Sequence, residues 1–352
     1  MKAGYQVLDG NMAAGLRNEK REFALDVLEG LSEHPRRLSS RWFYDDEGSR
    51  LFARIMDVPQ YYLSDCEREI LETHSLAIGE ALLGEPFDVV DLGAGDGRKT
   101  MILLKTLRDA GADVRYVPID ISEDAMSELV QRVGKLMPDM PVQGIVSEYA
   151  DGIRWLHNQP NARRSLVLFL GSNIGNFNKA RARAFLRRLW TALADGDRVL
   201  VGFDLKKDID LLLSAYNDPQ GVTGAFNLNL LTRINRELGA NFNVDSFRHF
   251  GTYNVFSGAM ESYLVSLEAQ VVTVGALSQS FKFDAWEPIH TEYSYKYLES
   301  DIVELAGATG FDLENRFYDR RKWFTNALCR VRKASRSRKP GMTPVTSPPR
   351  SR

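Results

Sequence analysis

The stretch Asp88-Val89-Val90-Asp91-Leu92-Gly93-Ala94-Gly95-Asp96-Gly97 constrains the fold more than any other part of the chain. It reads as a short buried strand that runs through a glycine-rich turn into a helix starting near Arg98. An apolar run, an acid at the strand end and alternating glycines are what the first strand and turn of a nucleotide-binding α/β domain require. The backbone must turn sharply there and let a ligand come close, which a Cβ would prevent. An ordinary strand-to-helix turn has the same local pattern, so the weight falls on what surrounds it.

Two cofactor classes use such a turn. Dinucleotide enzymes need G-x-G-x-x-G, with a pyrophosphate on the helix N-terminus. Here the glycines fall at 93, 95 and 97, and Arg98 occupies the third-glycine position. Asp91, two residues ahead, sits poorly beside a pyrophosphate and well beside a cation. S-adenosylmethionine carries a sulfonium and an amino group and no phosphate, so it suits this turn better. Asp120 ends the second strand, Tyr116-Val117-Pro118-Ile119-Asp120, where a carboxylate can accept from both ribose hydroxyls. After the third strand, Glu148-Tyr149 offer an acceptor and an aromatic wall to an adenine.

From Asp88 to Asp204 strand and helix alternate, with strands expected at Asp88–Leu92, Val114–Ile119, Val142–Glu148, Leu166–Leu170 and Arg198–Phe203. Helices are expected between them, including Lys99–Asp109 and Lys179–Leu193. That alternation predicts a parallel sheet covered on both faces, with ligands at the strands' C-terminal ends. The fourth strand runs into Gly171-Ser172-Asn173-Ile174-Gly175-Asn176, whose glycines and asparagines core packing does not explain. Neutral amides there can hold an amino acid's carboxylate and amine without protonating either.

Outside this region the pattern changes. Residues 1–20 show no periodicity and are expected to form a loose leader, followed by an amphipathic helix with Phe23, Leu25, Val27, Leu28 and Leu31 on one face. A helix over Ser64–Leu83 is expected, with Ser64 and Glu67 as a capping box. After Leu205 the spacing predicts helices at Asp208–Tyr216 and Val222–Leu238, then a meander over Phe247–Ser257, Met260–Val272 and Ser278–Phe283. A helix near Ser300–Thr309 and strands near Phe311–Tyr318 and Trp323–Val331 read as the return to the first domain.

Composition bounds the function classes. The net charge is −2, but Arg332–Arg352 holds seven basic residues and no acidic one, so the remainder carries about −9. An acidic body argues against a nucleic-acid groove, and the basic, proline- and serine-containing tail reads as disordered. No apolar run is long enough to span a membrane, and the N-terminus does not look like a signal peptide. Cys66 and Cys329 are expected as reduced thiols of a cytoplasmic protein. The five histidines show no ligand spacing, so no metal is implied.

Taken together, the chain resembles the histidine-specific Nα-methyltransferases, S-adenosylmethionine enzymes that make the trimethylbetaine of histidine for ergothioneine. The resemblance rests on Arg41-Trp42-Phe43-Tyr44-Asp45, Pro59-Gln60-Tyr61-Tyr62, the 91–97 loop, Phe169-Leu170-Gly171-Ser172, Ile174-Gly175-Asn176 and Asp204-Leu205 with Lys207-Asp208. It continues in Ala215-Tyr216-Asn217-Asp218, Gly221-Val222-Thr223, Asn235-Arg236-Glu237-Leu238 and Thr291-Glu292 with Ser294 and Lys296. It implies a Rossmann-like class I methyltransferase with an inserted α+β substrate-binding domain, the first over 65–205 and 296–331, the second over 21–64 and 206–295. It also implies S-adenosylmethionine as cofactor and a free amino acid as substrate; a monomer is expected, with no nucleic acid and no membrane.

By the same resemblance Asp91, Gly93, Gly95, Lys99, Asp120, Glu148 and Tyr149 hold the cofactor. Asn176 and Tyr216 match positions that hold the substrate carboxylate, and Gly171 and Asn173 match positions near the α-amine. Tyr44 matches a tyrosine beside that amine and is the candidate proton relay. Tyr61, Glu292 and Ser294 match groups that grip the imidazole, with Ser262 beside the ring. Asn173 stands where a threonine is expected and Ser262 where a methionine is expected. Histidine stays plausible, because a buried Glu292 is poorly partnered by an indole or phenol. A tryptophan-like or other amine substrate, a nicotinamide oxidoreductase and a cofactor-binding protein without turnover stay open.

Overall fold

A computed structural model of the chain describes residues 4–8, 12–159 and 163–333. The first part runs β1 (Gly4–Val7), α1 (Met12–Ser32), β2 (Arg36–Arg37), α2 (Asp46–Met56) and α3 (Tyr62–Gly79). The alternating part is β3 (Phe87–Leu92), α4 (Arg98–Asp109), β4 (Val114–Asp120), α5 (Glu123–Leu136), β5 (Gln143–Val146), α6 (Tyr149–His157), β6 (Arg164–Phe169), α7 (Lys179–Ala192) and β7 (Arg198–Asp204). Then come α8 (Ile209–Tyr216), α9 (Val222–Leu238), β8 (Phe247–Asn254), β9 (Ala259–Ser266), β10 (Gln270–Val274), β11 (Gln279–Phe283) and β12 (Pro288–Tyr295). The chain closes on α10 (Glu299–Thr309), β13 (Phe311–Tyr318) and β14 (Phe324–Val331).

Eight strands form one sheet in the order β1-β5-β4-β3-β6-β7-β14-β13. The strands from β1 to β7 pair in parallel, while β14 runs antiparallel to β7 and β13. Every residue of β3 and of β7 is buried, as a sheet covered by helices on both faces demands. Two hydrophobic clusters lie on its two faces, one containing Val89, Leu103 and Leu168, the other Val90, Val167 and Leu189. The chain goes from β3 outward through β4 on one side and later through β6 on the other. That reversal leaves a crevice at the strands' C-terminal ends, where ligands of such sheets bind. This is the Rossmann-like α/β architecture expected from the sequence.

A third cluster belongs to α1, α2, α9 and a four-stranded sheet of order β2-β12-β9-β8, with Phe23, Phe43, Phe226 and Leu264 at its centre. The chain leaves the large sheet after Asp204 and comes back at Lys296-Tyr297. These crossings lie side by side: Tyr297 N donates to Asp204 O at 2.9 Å, and Lys206 N to Tyr297 O at 3.0 Å.

Four expectations are corrected. The leader over 1–20 contains β1, paired in parallel with β5, and the first turns of α1. Leu25 faces solvent rather than the core, 52% exposed, while Phe23, Val27 and Leu31 are buried. The helix expected from Ser64 begins at Tyr62 without a side-chain cap, and Glu67 is buried inside the protein. The strand expected over Met260–Val272 is two strands in different sheets, β9 and β10. Cys66 and Cys329 are both buried free thiols. The tail expected over 332–352 lies outside the described residues from position 334 on.

Candidate functional site

A cleft of about 1160 Å³ opens at the C-terminal ends of β3, β4 and β6. Tyr44, Tyr61, Asp91, Gly93, Gly95, Lys99, Asp120, Glu148, Tyr149, Gly171, Asn173 and Asn176 all line it. Tyr216, Ser262, Glu292 and Ser294 do not; they belong to the layer behind Tyr44 and Tyr61.

On the cofactor side the turn is held by its own acids. Asp91 Oδ2 accepts from Thr100 Oγ1 at 2.6 Å and from Tyr116 Oη at 3.0 Å. Burial pushes its carboxyl up to about 6, against those hydrogen bonds and the nearby Lys99 ammonium. Asp120 accepts from Gly95 N at 2.8 Å through one oxygen and from Ser122 N at 3.0 Å through the other. A carboxylate has about four acceptor sites, so capacity remains for a diol. Gly93 has φ +77°, and a Cβ there would come within 2.6 Å of Tyr149 Oη. The Tyr149 ring is fixed edge-on against Phe169, with centroids 5.4 Å apart. Glu148 is an ion-pair partner of Arg41, which also reaches Glu22 at 3.1 Å. Ser147 Oγ is buried in the cleft wall with no hydrogen-bond partner among the described residues.

Gly171 and Ser172 at the end of β6 both have left-handed backbone, φ 74° and 58°. Ser172 Oγ accepts from Asp204 N at 3.2 Å, tying this turn to the end of β7. A Cβ at Gly175 would lie 2.9 Å from Tyr295 O, so the turn packs directly on the end of β12. Glu67, wholly buried, accepts from Gly171 N through both oxygens at 3.1 and 2.9 Å and pairs with Lys99. Lys99 is thus an ion-pair partner within the cleft as well as a lining residue.

The opposite wall is aromatic. Tyr44 packs edge-on to Phe52 and Phe226 at 5.7 Å each, and Tyr61 packs edge-on to Tyr216 at 6.4 Å. Burial, and after it the Glu292 charge, raises the Tyr44 phenol well above its ordinary value, so it stays protonated at neutral pH. Tyr61 and Tyr216 are raised by burial too, and both feel the Glu292 charge. Glu292 is therefore close to this aromatic box. Burial pushes its carboxyl up to about 7, partly offset by the Lys296 ammonium. On the neighbouring strand it stands opposite Ser262, itself buried.

Behind Glu292 lies a buried polar network that spacing alone did not reveal. Lys296 Nζ lies 2.8 Å from Tyr216 Oη, from Ser294 Oγ and from Asp204 Oδ2. Asp204 also accepts from Tyr62 Oη at 2.8 Å and pairs with Lys207. Burial alone would raise the Asp204 carboxyl, but Lys296 and Lys207 hold it below the usual range. Asp204, Lys207 and Lys296 all stand in stretches that carry the family resemblance; what the sequence lacks is any sign that they meet.

The profile of the family described as "Histidine-specific methyltransferase, SAM-dependent" matches residues 23–331. The chain belongs to this family. The histidine N-alpha-methyltransferases of Mycobacterium tuberculosis and Mycolicibacterium smegmatis are 37% and 38% identical to it over 284 residues, 80% of this chain and 87% of theirs. The 4-dimethylallyltryptophan N-methyltransferase of Claviceps fusiformis is 27% identical over 298 residues, 79% of this chain and 83% of its own. The protein is accordingly an S-adenosylmethionine-dependent methyltransferase. The cleft suits that cofactor: the Gly93 turn has no room for a side chain, Asp91 can face a cation, and Ser147 Oγ has an unused polar atom. No helix among the described residues is long and apolar enough to cross a membrane.

Proposed function

We propose that the protein methylates the α-amine of free L-histidine, up to three times in succession, to give the trimethylbetaine. The observation that carries this reading is the polar pair behind the aromatic wall. Glu292 can accept and Ser294 can donate, which matches the two nitrogens of a neutral imidazole, one N–H and one lone pair. The two mycobacterial relatives support it. An indole, with a donor and no acceptor, would leave the Ser294 side unpartnered.

In this reading residues 65–205 and 296–331 form the methyltransferase domain and residues 21–64 and 206–295 the substrate domain, with the amino acid between them. Asn176 and Tyr216 are assigned to the carboxylate, Gly171 and Asn173 to the amine, and Tyr61, Ser262, Glu292 and Ser294 to the ring. Asp91, Gly93, Gly95, Lys99, Asp120, Glu148 and Tyr149 are assigned to the cofactor.

When bound, S-adenosylmethionine supplies an electrophilic methyl group on a cationic sulfur. Before each transfer the substrate's ammonium would give up one proton, three in all, so that its lone pair could form the N–C bond while the C–S pair left with sulfur. Because the leaving group is neutral, the chain's main contribution is alignment, which can supply on the order of 7–11 kcal/mol. Tyr44 enters as a phenol, so it relays a proton only by giving one as it takes one. Incubation with each amino acid and S-adenosylmethionine, read by mass spectrometry, tests the substrate. Trimethylhistidine as the main product is expected; methylation of tryptophan in preference to histidine would overturn the reading.

A further inference from the structure

Lys296 is buried to the last atom, its side chain 0% exposed. An ammonium has three protons and no lone pair. Its three neighbours, Tyr216 Oη, Ser294 Oγ and Asp204 Oδ2, each at 2.8 Å, take all three. Tyr216 Oη and Ser294 Oγ are also bonded to each other, at 2.7 Å.

The proton inventory of that triangle is closed. Each hydroxyl has one proton and accepts once from Lys296. The phenol is the more acidic hydroxyl and the serine oxygen the better acceptor, so Tyr216 donates and Ser294 accepts. Both lone pairs of Ser294 are then occupied, one by Lys296 and one by Tyr216. Its proton is the one left over. Ser294 can donate to a ligand and cannot accept from one. Two residues earlier on the same strand, Glu292 lies on the same face, as the alternation of a β-strand dictates. Ionised, it can only accept.

We propose that Lys296 is a specificity-determining positioning residue: by filling one lone pair of Ser294 while Tyr216 fills the other, it makes Ser294 a pure donor and obliges the substrate ring to present an unprotonated acceptor atom. This rests on the histidine reading above. It adds that the preference for a ring with one N–H and one bare nitrogen is imposed from behind the pocket, by a residue not assigned to the substrate. It also revises one assignment above: Tyr216, its proton spent on Ser294, serves the ring through Ser294 and leaves the substrate carboxylate to Asn176.

The test compares L-histidine with 3-(2-pyrrolyl)-L-alanine, which keeps the ring N–H and has no acceptor nitrogen. Michaelis and inhibition constants for both are measured on the wild type, on Lys296→Met, and on Lys296→Met/Asp204→Asn, which removes one buried charge of each sign and serves if the single variant fails to fold. S-adenosylhomocysteine affinity reports that the cofactor side is intact. The histidine KM is expected to rise about 10-fold in the variants, the loss of about one hydrogen bond. The pyrrole analogue should hardly change, so the preference narrows by the same factor. Equal weakening of both ligands would show a merely structural lysine and overturn the proposal. A wild type that binds neither would instead defeat the histidine reading itself.

Discussion

Glu292 is where one side chain's burial becomes measurable. Its carboxyl is raised from 4.5 to about 7 because burial disfavours the charge more than Lys296 favours it. Below about pH 4.5 it is neutral in the folded and the unfolded chain alike. As pH rises through 7 the folded chain must ionise it in place, and the stability present at low pH is lost, by about 3 kcal/mol at most. Glu292→Gln should therefore melt a few degrees above the wild type at pH 8 and level with it at pH 5, in ligand-free protein. A difference that stays constant across that window would show that Glu292 is not desolvated. The same variant should raise the histidine KM roughly 10- to 100-fold, since it replaces a charged acceptor, and leave S-adenosylhomocysteine affinity unchanged. Gly93 gives the complementary case on the cofactor side. Gly93→Val sets a branched side chain in left-handed backbone against Tyr149 Oη, which a Cβ alone would approach to 2.6 Å. Isothermal titration with S-adenosylhomocysteine should find no binding, with the fold retained by circular dichroism.

Among the elements, what the sequence revealed was local. The apolar run of β3, the glycine spacing after it and the four-residue periodicity of α9 are each written within one stretch, and the structure has them within a residue of the expected bounds. What stayed hidden depends on distant partners. β1 is four residues long and exists because β5, far along the chain, offers an edge. The division between β9 and β10 is invisible because the apolar residues continue across it. Glu67, by its spacing from Ser64, imitates a capping box that the helix does not have. Its real partners are Gly171, 104 residues away, and Lys99. That carboxylate joins α3, α4 and the turn after β6, so Glu67→Gln should loosen the amine end of the site as well as the helix. A kcat reduction with a stability loss of about 1–3 kcal/mol is expected. Gly202→Ala offers an independent way to displace the same group, because a Cβ on β7 would run into Glu67 Oε1. If the two variants behave alike in kcat, the carboxylate's position is responsible; if only Glu67→Gln is slow, the charge is.

For the whole molecule the question is what holds the aromatic wall over the cofactor turn. The crossings at Asp204–Lys206 and Lys296–Tyr297 join the two bodies at one end of the cleft. At the other, Arg41 reaches from the segment before α2 to Glu148 at the start of α6 and to Glu22 on α1, and its guanidinium lies over the Trp42 ring at 4.7 Å. These charges are two-fifths exposed, Arg41 41% and Glu148 42%, and such pairs add about 0–1 kcal/mol to stability. Their position across the mouth of the cleft predicts a kinetic role instead. Arg41→Ala should leave the melting temperature nearly unchanged and speed the dissociation of S-adenosylhomocysteine, measured by stopped-flow fluorescence. Glu148→Ala should be faster still, because it removes a group assigned to the cofactor as well as the clasp, and the double variant should match Glu148→Ala alone. A double variant faster than Glu148→Ala would mean that Arg41 acts apart from Glu148 and that the pair is no clasp. Raising the salt concentration should mimic the variants in the wild type and do nothing further to the double variant, since exposed pairs are screened.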